Sequence, residues 1–559
     1  MRQVPSLAPH GRGGLLPRND PERPVHRSGR IPARQSLNRP RASGAFVSSI
    51  AVPSFRNGRD AQRFVLELDR RLEPLDRAIL VADWNLNTGR SRRGPGPWQL
   101  KRAELLSDPR LLPWVRGALQ ESWPPLLRRR LELLERILLD TSVEQHPEVV
   151  RLREELQRAI VQFRPMWNGR RVNRAVIGHI VRRDRDPSHR RQAFYALQPL
   201  YRPLEEPFLR LVRLRNERAR AQGFATFAEM RLGFQGFSSA RVVELAETAV
   251  QGVRRRALAL RDQLPSEGAA GGWHPWDLPY ARERLASIPD RALPQRGMLP
   301  RVLRGVEKWG FPTSRMRFRV VFHDLPAGGL TLAPDPPSDV RILVHPRGGW
   351  GAYQAMFHEV GHAVHSASIR SPRHLLRWHE NIPGFGGMHE GIGGLFEEIP
   401  RERAWLVEAA GISPAAAERF AEARRDTDLI GTASISSWIL PELNLYRQPG
   451  RDPMASAQRF ARRTFGYDAF APTSFVDSFY VVDPLYTANY LLATMFHYQL
   501  AASLRARFGE PLWPNRKVGP CLTREWFAPG SLIDWVPHLQ EVTGKPFGAQ
   551  AFCEWFRQH

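Results

Sequence analysis

Cysteine and lysine are almost missing from this chain of 559 residues. Its two cysteines, Cys521 and Cys553, are too few for a disulfide framework and fit a reducing compartment, so a cytoplasmic location is expected. No apolar run approaches the ~18 residues of a membrane span, and none is expected. The first 45 residues also lack the apolar core of a signal peptide. Only Lys101, Lys308, Lys517 and Lys545 are lysines among 82 basic residues. The net charge of +26 invites a nucleic-acid reading. Against it, the arginines are scattered through helical segments beside acids, and zinc-finger, RNA-recognition and phosphate-loop signatures are missing. A basic nucleic-acid-binding protein is therefore only a remote alternative. Another use for the surplus is an arginine-lined channel that attracts acidic peptides or C-terminal carboxylates.

The content that is present belongs to a folded enzyme: 42% hydrophobic and 10% aromatic residues. The length suggests more than one lobe. Residues 1–45, rich in Arg, Pro, Gly and Ser, are expected to be a disordered basic extension. Residues 46–270 are expected to form an N-terminal helical lobe and residues 271–559 a catalytic lobe. The Gly/Pro-rich stretch Leu264–Trp276 reads as the linker. Apolar residues at 3–4 spacing predict helices over Arg59–Ala82, Pro124–Leu139, Glu148–Phe163, Pro187–Gln222 and Ser239–Leu264. Only Arg317–Phe322, Gly329–Leu332 and Val340–Val344 read as strands, short β-branched runs between turn residues. The expected class is mainly α, with a small antiparallel sheet running into the next helix.

That helix, Trp350–Ser368, carries His358-Glu359-Val360-Gly361-His362, an HExxH pattern. Residues i and i+4 share a helix face, so His358 and His362 can aim two imidazoles at one Zn²⁺. Glu359, about 100° further round, reaches a water on the metal rather than the metal itself. Two neutral nitrogens, a carboxylate base and an open coordination position make a hydrolytic site. His365, one turn on, reads as a packing residue. A third protein ligand is required, and Glu390, Glu397 and Glu398 follow a glycine-rich approach downstream. Small residues around Glu390 would let its helix pack closely across the first, whereas Glu397 and Glu398 lie two turns later and read as residues that support a ligand or sit at the surface.

The segment Gly384-Phe385 … His389-Glu390-Gly391-Ile392-Gly393, with HEVGH before it, resembles the gluzincin peptidases related to angiotensin-converting enzyme. Oligopeptidase F and thimet-type peptidases share part of the pattern. Weaker resemblances lie in Ala82–Thr88, Arg213–Phe224 and Trp535–Phe556. The resemblance implies a two-lobed helical metallopeptidase with a deep central channel, one Zn²⁺ per chain, and Glu390 as third ligand. It also implies oxyanion donors on a late helix, where Tyr490 matches the family tyrosine, Tyr486 lies one turn earlier, and Tyr480 stands where the family has histidine. Two further departures are Gly394, where relatives often place an acid supporting a ligand histidine, and Ser478, where they place a carboxylate-binding lysine. The implied activity is zinc-dependent hydrolysis of short unfolded peptides, with Glu359 as general base, of oligopeptidase or peptidyl-dipeptidase type. The alternative is a non-catalytic zinc- and peptide-binding homologue. Peptide substrates are the expected partners; the oligomeric state is not legible.

Overall fold

The computed structural model describes residue 52 and residues 58–263, 274–285, 288–323, 325, 328–377, 382–466, 474–476 and 478–558. The basic extension over residues 1–45 and most of the expected linker lie outside them. Residues 47–559 group as one compact unit. Its main hydrophobic core includes Leu131, Phe208, Met356, Leu491 and Phe552, so helices from both halves of the chain contribute to it. Among the described residues, no helix is long and apolar enough to cross a membrane.

The architecture is mainly α. Helices form at Gly58–Asn87, Pro125–Glu144, Pro147–Gln162 and Ser239–Gln263, where apolar residues recur every three or four positions. Pro125 and Pro147 start their helices at the first turn, where a missing N–H costs nothing. The single helix expected over Pro187–Gln222 is divided into Pro187–Tyr195, a short turn at Gln198–Tyr201, and Glu205–Ala221. Pro199, Pro203 and Pro207 explain the division, because each lacks the donor that a continuing helix needs.

Buried arginine ties these helices together. Arg215, fully buried on Glu205–Ala221, places all five N–H donors. Nε and Nη2 donate to the Glu144 carboxylate at 2.7 and 3.1 Å. The other bonds go to the carbonyls of Tyr480 and Val481, each at 2.9 Å, and to the Tyr446 hydroxyl at 3.2 Å. Its neighbour Asn216 donates to the Tyr446 carbonyl and accepts from the Phe227 amide. The block 213–224 is thus a structural brace.

The sheet corrects one expectation. Its order is Phe318–Phe322, Asp339–Val344, Gly329–Asp335; the first pair is parallel and the second antiparallel, so the sheet is mixed rather than antiparallel. Asp339–Val344, with Ile342–Val344 fully buried, takes the centre. Trp84 of the first helix is buried against Leu332 and Leu343, with the guanidinium groups of Arg319 and Arg341 5.4 and 5.5 Å from its ring centre. The sheet packs on Trp350–Ser368, which is crossed by the glycine-rich helix Gly386–Phe396, and that helix packs in turn on Tyr486–Phe508.

Glu144→Gln is expected to lower the unfolding free energy, measured by urea denaturation, by about 3–5 kcal/mol, because it leaves the buried Arg215 charge without its partner.

Candidate metal centre and active site

The helix Trp350–Ser368 buries nearly all of its length, including Met356, Phe357, Val360, Ala363 and Val364. Its metal-facing side meets the glycine-rich helix at a separation that side chains would forbid. A Cβ at Gly393 would lie 2.5–2.7 Å from the His358 ring, and one at Gly361 would lie 2.9 Å from the Phe396 ring. Glycine at these two positions lets the helices approach until a carboxylate on one reaches imidazoles on the other.

At that crossing, one ligand atom each from His358, His362 and Glu390 lie within 4.8 Å of one another. The two Nε2 atoms are 3.0 Å apart, and His358 Nε2 lies 3.3 Å from Glu390 Oε2. Bonds of about 2.0–2.1 Å to a tetrahedral ion put neighbouring donors roughly 3.3 Å apart. Two imidazoles and one carboxylate at this spacing fit a divalent ion that prefers mixed nitrogen and oxygen ligands.

Each ligand is oriented by another group. His358 Nδ1 lies 2.9 Å from Glu397 Oε1, which leaves Nε2 as the coordinating nitrogen. Glu397 also accepts from Gln354 at 2.5 Å and from Arg401 at 2.9 Å. Burial raises its pKa, but the His358 hydrogen bond and the Arg401 charge outweigh this and bring it down to about 2. Tyr486 donates to Glu390 Oε1 at 2.5 Å, and the His389 ring stacks on His362 at 3.9 Å. His365 is fully buried beside the Phe527 ring.

Glu359 points to the other side, towards the sheet. Thr331 donates to its Oε2 at 2.6 Å, and burial raises the pKa of its carboxyl. A base whose affinity for protons has been raised is suited to taking and returning one near neutral pH. His358, Glu390 and Tyr490 line a common cavity of about 370 Å³. The Tyr490 hydroxyl has no hydrogen-bond partner among the described residues. Burial, reinforced by Glu390, keeps it protonated and therefore a donor.

The chain reaches Tyr486 and Tyr490 through a strained corner. Leu485 has φ 66°, and Glu442 accepts from its amide at 2.5 Å and from Thr487 Oγ1 at 2.7 Å. The two tyrosine rings then meet edge to face, 5.3 Å between centres. Tyr480 is not brought to the cluster. It is buried, and its hydroxyl donates to the Trp438 carbonyl at 2.6 Å, so its place before the corner gives it a packing role.

His358, Glu359, His362, Glu390, Tyr486 and Tyr490 therefore converge. The sequence reading missed the work of Thr331, Gln354, Arg401 and Glu442. For Glu397 there was a signal: it follows Glu390 by seven residues, two helical turns, on the same face, and stands in for the acid missing at Gly394. Glu398 turns away, pairing with Arg505 at 3.0 Å and His497 at 2.9 Å.

No family model matches the chain, and no curated protein matches it. Among solved structures, the chain is similar to the Apo-Mg structure of Pyrococcus furiosus carboxypeptidase, with a TM-score of 0.61 and 17% identity over 90% of this chain and 99% of that one. At this identity the likeness is one of fold.

Replacing Glu397 by alanine is expected to weaken divalent-metal binding about 10–100-fold, read by competition with a chromophoric chelator, because His358 loses its orienting acceptor.

Proposed function

We propose that the protein is a zinc-dependent peptidase acting on short, unfolded peptides. The observation that carries this reading is the convergence of His358, His362 and Glu390 with the buried Glu359 carboxylate and the unpartnered Tyr490 hydroxyl. The resemblance of the HEVGH and His-Glu-Gly-Ile-Gly segments to the converting-enzyme peptidases supports it, as does a fold shared with a carboxypeptidase.

His358, His362 and Glu390 would hold the ion. When bound, zinc supplies Lewis-acid polarisation of a carbonyl and acidifies water. Glu359, held by Thr331, accepts the proton of the attacking water and passes it to the departing amine. Tyr490 donates to the oxygen that gains negative charge as the carbonyl carbon becomes tetrahedral. Tyr486 acts on the site through Glu390, holding one carboxylate oxygen so that the other faces the imidazoles. A cavity of about 370 Å³ admits an extended segment of a few side chains and excludes a folded domain.

A non-catalytic homologue would rest on the two departures Gly394 and Tyr480. Glu397 takes the orienting role that Gly394 lacks, and Tyr490 offers the oxyanion donor that Tyr480 does not, so both departures are compatible with turnover.

Two variants test the assignment with a quenched-fluorescent peptide library. Glu359→Gln is expected to keep one zinc per chain by elemental analysis while losing cleavage. Tyr490→Phe is expected to lower kcat about 10²–10³-fold with little change in KM. An unmutated protein that binds no zinc, or binds it and cleaves nothing, would overturn the reading.

A further inference from the structure

The metal cavity shares part of its wall with a larger one. A cavity of about 1180 Å³, bounded by the helices Pro147–Gln162, Arg174–Arg183 and Asp277–Leu285, shares Arg282 and Arg424 with the cavity that exposes His358 and Glu390. Two arginines thus stand where the cavities adjoin. Arg424 is paired with Asp428 at 3.0 Å. Arg282 has no ion-pair or hydrogen-bond partner among the described residues, and its Nε is buried without an acceptor. Opposite it stands Gly431 on the helix Pro414–Arg447; a Cβ there would lie 2.9 Å from Arg282 Nη2. The fold has made room for this side chain, and the two acids whose charge reaches it, Asp428 and Glu283, are bonded to other arginines.

An unpaired cation drawn out of water beside a second arginine is unfavourable. Burial and the Arg424 charge push its pKa down, outweighing the opposite pull of Asp428 and Glu283. A ligand carboxylate would relieve the repulsion, and a guanidinium accepts such a group through paired N–H donors. The larger cavity repeats the charge. Arg164 and Arg174 line it and donate to backbone carbonyls or to the Tyr201 hydroxyl rather than to acids. Its lining acid, Glu283, is engaged by Arg183 at 2.8 Å.

Resting on the peptidase reading above, we infer that the two cavities form one peptide-binding channel that selects carboxylate-bearing peptides, with Arg282 binding a carboxylate where they adjoin. Two groups on a peptide carry that chemistry: the terminal α-carboxylate and an Asp or Glu side chain.

Calorimetric binding to the zinc-loaded Glu359→Gln protein separates them, using one tetrapeptide as the free acid, as its C-terminal amide, and as amides containing Glu or Gln. At least one carboxylate form is expected to bind about 10–100-fold more tightly than its neutral counterpart. Selectivity for the free acid assigns the α-carboxylate; selectivity for Glu over Gln assigns the side chain. Adding Arg282→Gln should collapse the preference and Arg282→Lys should keep most of it. Arg110→Gln, at an exposed arginine lining neither cavity, should leave it intact. Equal binding of charged and neutral peptides, or a preference that survives Arg282→Gln, overturns the inference. A preference that is lost with Arg282 in a protein whose unmutated form cleaves nothing would instead sink the peptidase reading and leave the carboxylate site standing.

Discussion

The close crossing of two helices is the constraint from which the rest of the site follows. Trp350–Ser368 supplies two imidazoles and Gly386–Phe396 supplies one carboxylate, and these meet only because Gly361 and Gly393 leave no side chains between the axes. A β-carbon at Gly393 would occupy the space of the His358 ring. The third helix, Tyr486–Phe508, packs on the far side of the glycine-rich one and brings Tyr486 onto Glu390. The start of the glycine-rich helix is pinned from elsewhere in the chain. Gln235 accepts from the Gly387 amide at 3.0 Å and donates to Asn489 at 2.8 Å, and Trp535 donates to the Gly384 carbonyl at 3.1 Å. The entry angle of the helix, and so the position of Glu390, is held from three directions.

Burial then tunes the chemistry. In a low-dielectric crossing each ionisable group takes the character of its partners. Glu397, between His358 and Arg401, is held as a carboxylate, which suits an acceptor that must orient a ligand. Among the described residues, the Glu359 carboxylate is bonded by the Thr331 hydroxyl alone, and burial raises its proton affinity. Two carboxylates close to one histidine thus acquire different duties. The same rule explains the arginines. Arg215 spends every donor inside the core and braces the fold, whereas Arg282, facing a cavity, keeps its donors for a ligand.

Much of the fold was legible because helix periodicity is local. The HEVGH helix runs over Trp350–Ser368, the span its proline-free apolar composition predicts. Prolines 199, 203 and 207 carried a local warning that the segment 187–222 would break, and the 3–4 spacing masked it. The sheet was located by its β-branched runs, but strand direction was not, because the partner of Phe318–Phe322 lies across a connection that periodicity does not describe. The tyrosines make the same point at the site. Tyr480, Tyr486 and Tyr490 look equivalent in a string of apolar and aromatic residues, yet the turn at Leu485 sends the first into the core and the other two to the cluster.

By itself the sequence determined the spacing of His358 and His362, the base between them, and a third acid in a setting small enough to pack closely, because each of these is a property of one helix. Tertiary structure alone decided which groups orient those ligands and what lies beyond them. Thr331 reaches Glu359 from a strand, and Glu442 sets the corner before Tyr486. Arg282, from another helix, meets Gly431 where two cavities adjoin. Contacts between residues far apart in the chain depend on how helices cross, and that is set by the fit of whole surfaces rather than by any local pattern.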